Sequence, residues 1–146
     1  HAAADEPATR QNRDRAIQAL AKSKRYFIRS FFPDLFHAPD KHREVIESSA
    51  TIAERMPVDQ IIAVMKGMRD RKDSLQLLES IRFPVLFIGG EFDPRIPVSM
   101  IRSQSILPKG SELIILPNAA HMGHIEDFLL LSERILEFLN KLIATE

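Results

Sequence analysis

Asp93 and His121 are the two side chains whose types and spacing could do acid–base chemistry together. Each follows an apolar run. Val85-Leu86-Phe87-Ile88 leads through Gly89-Gly90 to Asp93, and Leu113-Ile114-Ile115-Leu116 leads to the loop from Pro117 to His124. If the two runs are neighbouring parallel strands, both loops open at the same edge of one sheet. A carboxylate there can accept a hydrogen bond from the imidazole, fix its tautomer and stabilise its protonated form, which is what a general base needs. The carboxyl end of a buried strand is also where open α/β sheets hold their chemistry. Alone, Asp93 reads as a turn residue before Pro94 and His121 as a solvated loop side chain. The specific signal is the pair, 28 residues apart, with one crossover helix and one strand between them.

The elements that would position the pair lie on either side. Pro84 and the two glycines bound a strand over 84–89, whose continuous apolar run reads as buried on both faces. Glycines let the chain leave the sheet, and Pro97 stands where a helix to about Ile106 can open. Leu107-Pro108-Lys109-Gly110 is a turn, and Ser111 to Leu116 is a second strand. A last helix runs from Ile125 to about Ile143, with Phe128, Leu131, Ile135, Phe138, Leu139 and Leu142 inward. Residues 81–146 are therefore β-α-β-α, with parallel strands and a right-handed crossover.

Residues 1–80 carry four helical patterns and no strand. A helix over 5–32 sets Ile17, Leu20, Ala21, Lys24, Phe27, Ile28 and Phe31 on one stripe, with the stem of Lys24 lying along it. Pro33 ends it. Asp40 can cap a helix over 41–55. Pro57 opens a third, with Ile61, Ile62, Met65 and Met68 on one face, and a short fourth follows Asp73 using Leu75, Leu77 and Leu78.

The chain has 146 residues, 45% of them apolar, no cysteine and no net charge. That length fits one modest domain with a core. Zero net charge argues against a dedicated nucleic-acid binder. The basic face of the first helix (Arg10, Arg13, Arg15, Lys22, Arg25 and Arg29) is diluted by Asp5, Glu6 and Asp14 and reads as solvated. The lack of cysteine excludes disulfides and thiolate chemistry, and neither a metal nor an organic cofactor is expected. No run approaches the roughly 18–20 apolar residues of a membrane span, and the first residues have no signal-peptide core. These features favour the cytoplasm.

Gly90-Glu91-Phe92-Asp93-Pro94-Arg95-Ile96-Pro97 resembles the acid loop of the α/β-hydrolase fold family, which follows that family's penultimate strand. Asn118-Ala119-Ala120-His121-Met122-Gly123-His124-Ile125-Glu126 resembles its catalytic-histidine loop. The helices before residue 81 resemble the cap that the family inserts ahead of the acid strand. The resemblance covers nearly the whole chain and implies a partial α/β-hydrolase fold, with a helical cap over 1–80 and the last β-α-β-α of the core over 81–146. It makes Asp93 the acid and His121 the base of a Ser-His-Asp triad, in the family's chain order. His124 falls outside the matched position and is expected to be a loop or lid-facing residue.

The family's Gly-x-Ser-x-Gly nucleophile elbow has no counterpart, because none of Gly67, Gly89, Gly90, Gly110 and Gly123 frames a serine. With the start at His1, this leads us to expect a C-terminal piece of a longer protein, inactive by itself. The parent is expected to be a serine hydrolase acting on a small apolar, ester-like substrate, with Phe31, Phe36, Met65, Met68 and Met122 as candidate pocket wall. Relatives of this fold also perform dehalogenation, epoxide opening, perhydrolysis and C–C cleavage, among which fold cannot choose. Two rival readings stand beside this one. One is a non-catalytic binding or assembly module. The other is a response-regulator-like domain, which would need five parallel strands. The acid strand would present an unpaired edge, so a homo-oligomer formed by edge pairing or by exchange of cap helices is expected.

Overall fold

In the computed structural model, which describes residues 1–144, the chain divides into two compact units. One is helical and comprises Ala3–Asp34 and Pro39–Ser74. The other holds the sheet and comprises His1–Ala2, Leu35–Ala38 and the chain from Leu75 onward. The division differs from one at residues 80 and 81, since the last short helix and the loop at 35–38 both go with the strands. Hydrogen bonding accounts for the loop. The His121 N–H donates to the Leu35 carbonyl at 2.9 Å, and the His37 N–H donates to the Glu126 carboxylate at 2.6 Å.

The helical unit contains α1 (Pro7–Lys22), α2 (Lys24–Phe31), α3 (Arg43–Arg55) and α4 (Val58–Arg69). Pro7 sits in the first turn of α1, where its missing N–H is no loss. The expected single helix over 5–32 is two, because Ser23 leaves the helical region at φ −154° and ψ 84°. Serine competes for local backbone hydrogen bonds and yields easily at such a break. A 3-10 turn over Pro39–His42 precedes α3, so Asp40 does not cap it; its carboxylate pairs with Arg43 instead. Leu20, Ile28 and Ala50 are buried. Several basic side chains are paired inside this unit. Arg29 holds Glu54 at 2.5 Å and also pairs with Glu47, while Arg69 holds Asp14 at 2.6 Å. Asp5, expected on the surface, is buried between Arg13 and Arg71.

The sheet unit begins with α5 (Leu75–Ser80), followed by β1 (Val85–Gly90), α6 (Val98–Ser105), β2 (Ser111–Leu116), α7 (Gly123–Glu126) and α8 (Phe128–Ile143). β1 and β2 are parallel, in register from Val85 opposite Ser111 to Gly90 opposite Leu116. Pro97 caps α6 in extended conformation, as its fixed φ favours. The expected last helix breaks at Asp127, whose φ of −139° separates α7 from α8. Burial also departs from expectation. Val85 to Ile88 are half-exposed rather than covered on both faces, and only Gly89 and Gly90 of this strand are buried. On α8, Phe138 is buried, but Phe128 is 61% exposed, and Ile135 and Leu139 are also exposed. An apolar face recurs with helical period, whether or not anything lies against it.

Gly90 is the most closely enclosed of the glycines. A Cβ on it would lie 2.0 Å from the Ala120 carbonyl oxygen and 2.5 Å from that of Ala119. Those are backbone atoms, so the two loops touch only because this residue has no side chain. Gly67 in α4, by contrast, has nothing within 4 Å of an added Cβ. The two glycines are therefore expected to respond oppositely to alanine. Gly90→Ala should destabilise by about 1–3 kcal/mol through overpacking. Gly67→Ala should stabilise by roughly 0.4–1 kcal/mol by restricting the unfolded chain. Urea midpoints of the two variants check both signs.

Candidate active site

The register of the strands delivers the two loops side by side. Beyond the paired ends of β1 and β2, the Glu91 N–H donates to the Leu116 carbonyl and the Phe92 N–H to the Ala119 carbonyl, each at 3.0 Å. The acid loop is thus stitched to the histidine loop before either functional side chain is reached. One turn on, Asp93 Oδ1 accepts the backbone N–H groups of Arg95 at 2.7 Å and Ile96 at 3.0 Å. That leaves Oδ2 turned to His121, whose Nδ1 lies 2.9 Å away. The Asp93 side chain is 6% exposed and that of His121 is 36% exposed. A sheltered acid therefore holds an imidazole that still reaches solvent.

A cavity of about 340 Å³ opens beside the pair. Asp93, His121 and His124 provide its polar lining, and Ile88, Ile101, Leu116 and Leu131 are among its apolar walls. Of the five pocket candidates read from the sequence, none lines it. Phe36 is buried in the sheet unit, where its neighbour Leu35 is pinned to the His121 backbone, and Met122 is half-buried at the start of α7. Phe31, Met65 and Met68 belong to the helical unit: the Phe31 ring stacks on Phe27 at 5.8 Å, and the Met68 sulfur lies 3.8 Å from an Arg13 nitrogen. His124, set aside as a loop residue, does line the cavity. Among the described residues, no group of three His, Asp or Glu side chains could hold a metal ion, and no helix is long and apolar enough to cross a membrane.

Solved structures share this arrangement of elements. An esterase from Thermogutta terrifontis aligns with 97% of this chain at 26% identity and a TM-score of 0.82. An enol-lactonase from Burkholderia xenovorans aligns with 95% of it at 19% identity and a TM-score of 0.80. A bromoperoxidase from Bacillus anthracis aligns with 94% at 18% identity and a TM-score of 0.78. The chain spans about half the length of each, namely 53%, 53% and 50%. The chain has the fold of the C-terminal half of an α/β-hydrolase. No protein-family model and no curated protein sequence matches it.

Within this site, electrostatics keeps Asp93 ionised. Burial pushes its pKa up, but the hydrogen bonds from His121 and from the Arg95 and Ile96 N–H groups outweigh that, and the net shift is downward. A carboxylate whose folded value is depressed stabilises the fold fully above its unfolded value, near 3.9, and loses that contribution as pH falls through the lower folded value. Wild type should therefore be more stable than Asp93→Asn at neutral pH, and the gap should close on acidification below about pH 4. Urea unfolding of both proteins across that range measures it.

Proposed function

We propose that this chain supplies the acid and base of an α/β-hydrolase centre that performs acyl transfer on a small, apolar, ester-like substrate. The contact between Asp93 Oδ2 and His121 Nδ1 at 2.9 Å carries this reading. With Nδ1 held by the carboxylate, Nε2 is the basic nitrogen that can take a proton from a nucleophile and return it to a leaving group. The apolar wall beside His121 suits an uncharged substrate. The esterase among the structural relatives supports the reaction class.

In this reading the nucleophile, a serine on a strained elbow, comes from residues outside these 146. None of Ser74, Ser80, Ser99, Ser103, Ser105, Ser111 and Ser132 sits on a strand-to-helix elbow. The helices of the Ala3–Asp34 and Pro39–Ser74 unit would act as the cap of the whole enzyme, and the cysteine-free sequence suits the cytoplasm. The same missing elbow favours, as a second reading, a non-catalytic module that uses this fold for binding or assembly.

An assay with p-nitrophenyl acetate separates the two readings. The chain alone is expected to give no saturable turnover. Adding an N-terminal α/β-hydrolase half that bears a nucleophile should produce turnover abolished by His121→Ala. Turnover by the chain alone that disappears in His121→Ala would place the nucleophile within it and overturn this reading.

Without such a partner we infer that the chain self-associates. Among the described residues β1 pairs with β2 alone, so its other edge offers a row of backbone donors and acceptors. Leu129 is 82% exposed and Ile143 72%, both on α8. Unpaired edges and exposed apolar faces of this kind mark association surfaces. Sedimentation equilibrium at micromolar concentration is expected to give a two-fold dimer or a higher assembly.

A further inference from the structure

The carboxylate of Glu126 is no part of the acid–base pair, yet it holds the loop that carries His121. Its Oε2 accepts the Ala120 N–H at 2.8 Å, and its Oε1 accepts the His37 N–H at 2.6 Å. Ala120 is the residue before His121 and is buried. The next N–H, that of His121 itself, donates to the Leu35 carbonyl at 2.9 Å. The His37 ring in turn stacks on Phe92, centroid to centroid 3.8 Å and 12° from parallel, and Phe92 adjoins Asp93. The segment Leu35–Ala38 thus touches the acid loop through one ring and the histidine loop through one backbone hydrogen bond and the bridging Glu126 carboxylate.

We propose that Glu126 is a positioning residue for His121: its carboxylate ties the histidine loop to the segment Leu35–Ala38, and so sets the imidazole against Asp93. The inference rests on the reading of Asp93 and His121 as acid and base. Two backbone donors converge on one side chain, and charged acceptors make the stronger hydrogen bonds. Each oxygen takes one donor, and an amide side chain in the same pose has an oxygen at only one of the two positions. Glutamine keeps the shape of the side chain but turns an NH2 group toward one of the two N–H donors, leaving it unpaired. Glu126→Gln therefore tests the contact with little change in packing.

The test uses the full chain, isotope-labelled, and nuclear magnetic resonance. The hydrogen-bonded Nδ1–H of His121 is observed as a downfield proton signal, with Asp93→Asn as its control. Amide exchange is followed at Ala120 and His37, and at Ile114 in β2 as a reference. In Glu126→Gln the downfield signal is expected to vanish or broaden. Exchange at Ala120 and His37 should quicken about tenfold, the loss of one hydrogen bond's protection, with Ile114 unchanged. An unaltered downfield signal in Glu126→Gln, while Asp93→Asn abolishes it, would overturn the role of Glu126 and leave the acid–base pair standing. Equal acceleration at Ile114 would reduce Glu126 to general stability and also overturn the proposal. Survival of the signal in Asp93→Asn would remove the acid–base pair, and the proposal with it.

Discussion

The site depends on a backbone contact at the end of the parallel pair. Gly90 and Leu116 face each other on the last rung of the sheet, and the chain beyond each strand must leave without separating from the other. It can do so because Gly90 presents no Cβ to the carbonyls of Ala119 and Ala120. Two residues later the Phe92 N–H is still bonded to Ala119. Each loop is therefore the other's template. The distance between Asp93 and His121 is inherited from strand register and glycine geometry, and long-range attraction between the side chains is not needed to create it. Elsewhere in the same unit, Gly89 and Gly123 serve packing: a Cβ on either would meet the side chain of Ile101 or Leu116.

This order of causes explains what was legible in the sequence. Apolar runs bounded by proline and glycine mark strands by local rules, and two strands with a helix between them have one favoured hand. Asp93 and His121 could thus be placed at one sheet edge without coordinates. What escaped was non-local. Asp5 counts as one charge among many along the chain, yet it is buried between Arg13 and Arg71, and Arg71 is 66 residues away. The Arg71 guanidinium also bonds the Ala3 carbonyl at 2.8 Å, tying down the start of the helical unit. The carboxylate is covered while both guanidiniums keep some access to solvent. Glu126 escaped for the same reason: one of its two partners lies 89 residues away on the far side of four helices.

Burial was the least legible property. The pattern on α8 identifies an apolar face, and hydrophobic periodicity carries no information about what lies against that face. Phe138 is covered while Phe128 and Leu139 of the same expected face are open, although all three are apolar letters. β1 behaves likewise. Its run of Val85 to Ile88 has the composition of a central strand and the half-burial of one with neighbours on a single side. The pocket candidates are a related case: none of them lines the cavity beside Asp93 and His121. Phe31 stacks its ring on Phe27, and Met65 is half-buried on α4.

The two oxygens of Asp93 divide the work of the acid. Oδ1 is saturated by two backbone N–H groups at fixed positions three residues or fewer away, so the carboxylate plane cannot turn without losing both. Oδ2 is thereby aimed, and the imidazole needs only to bring a donor to it. The backbone donors also favour the ionised form against the cost of burial, so the acid stays an acceptor where a neutral carboxyl would itself offer a proton. An amide in that place could keep the backbone bonds through its oxygen, but it would then present an NH2 to Nδ1. The ring would have to accept there and carry its proton on Nε2, leaving no lone pair to act as a base. The chemical polarity of His121 is thus set in the loop after β1, by the N–H groups of Arg95 and Ile96.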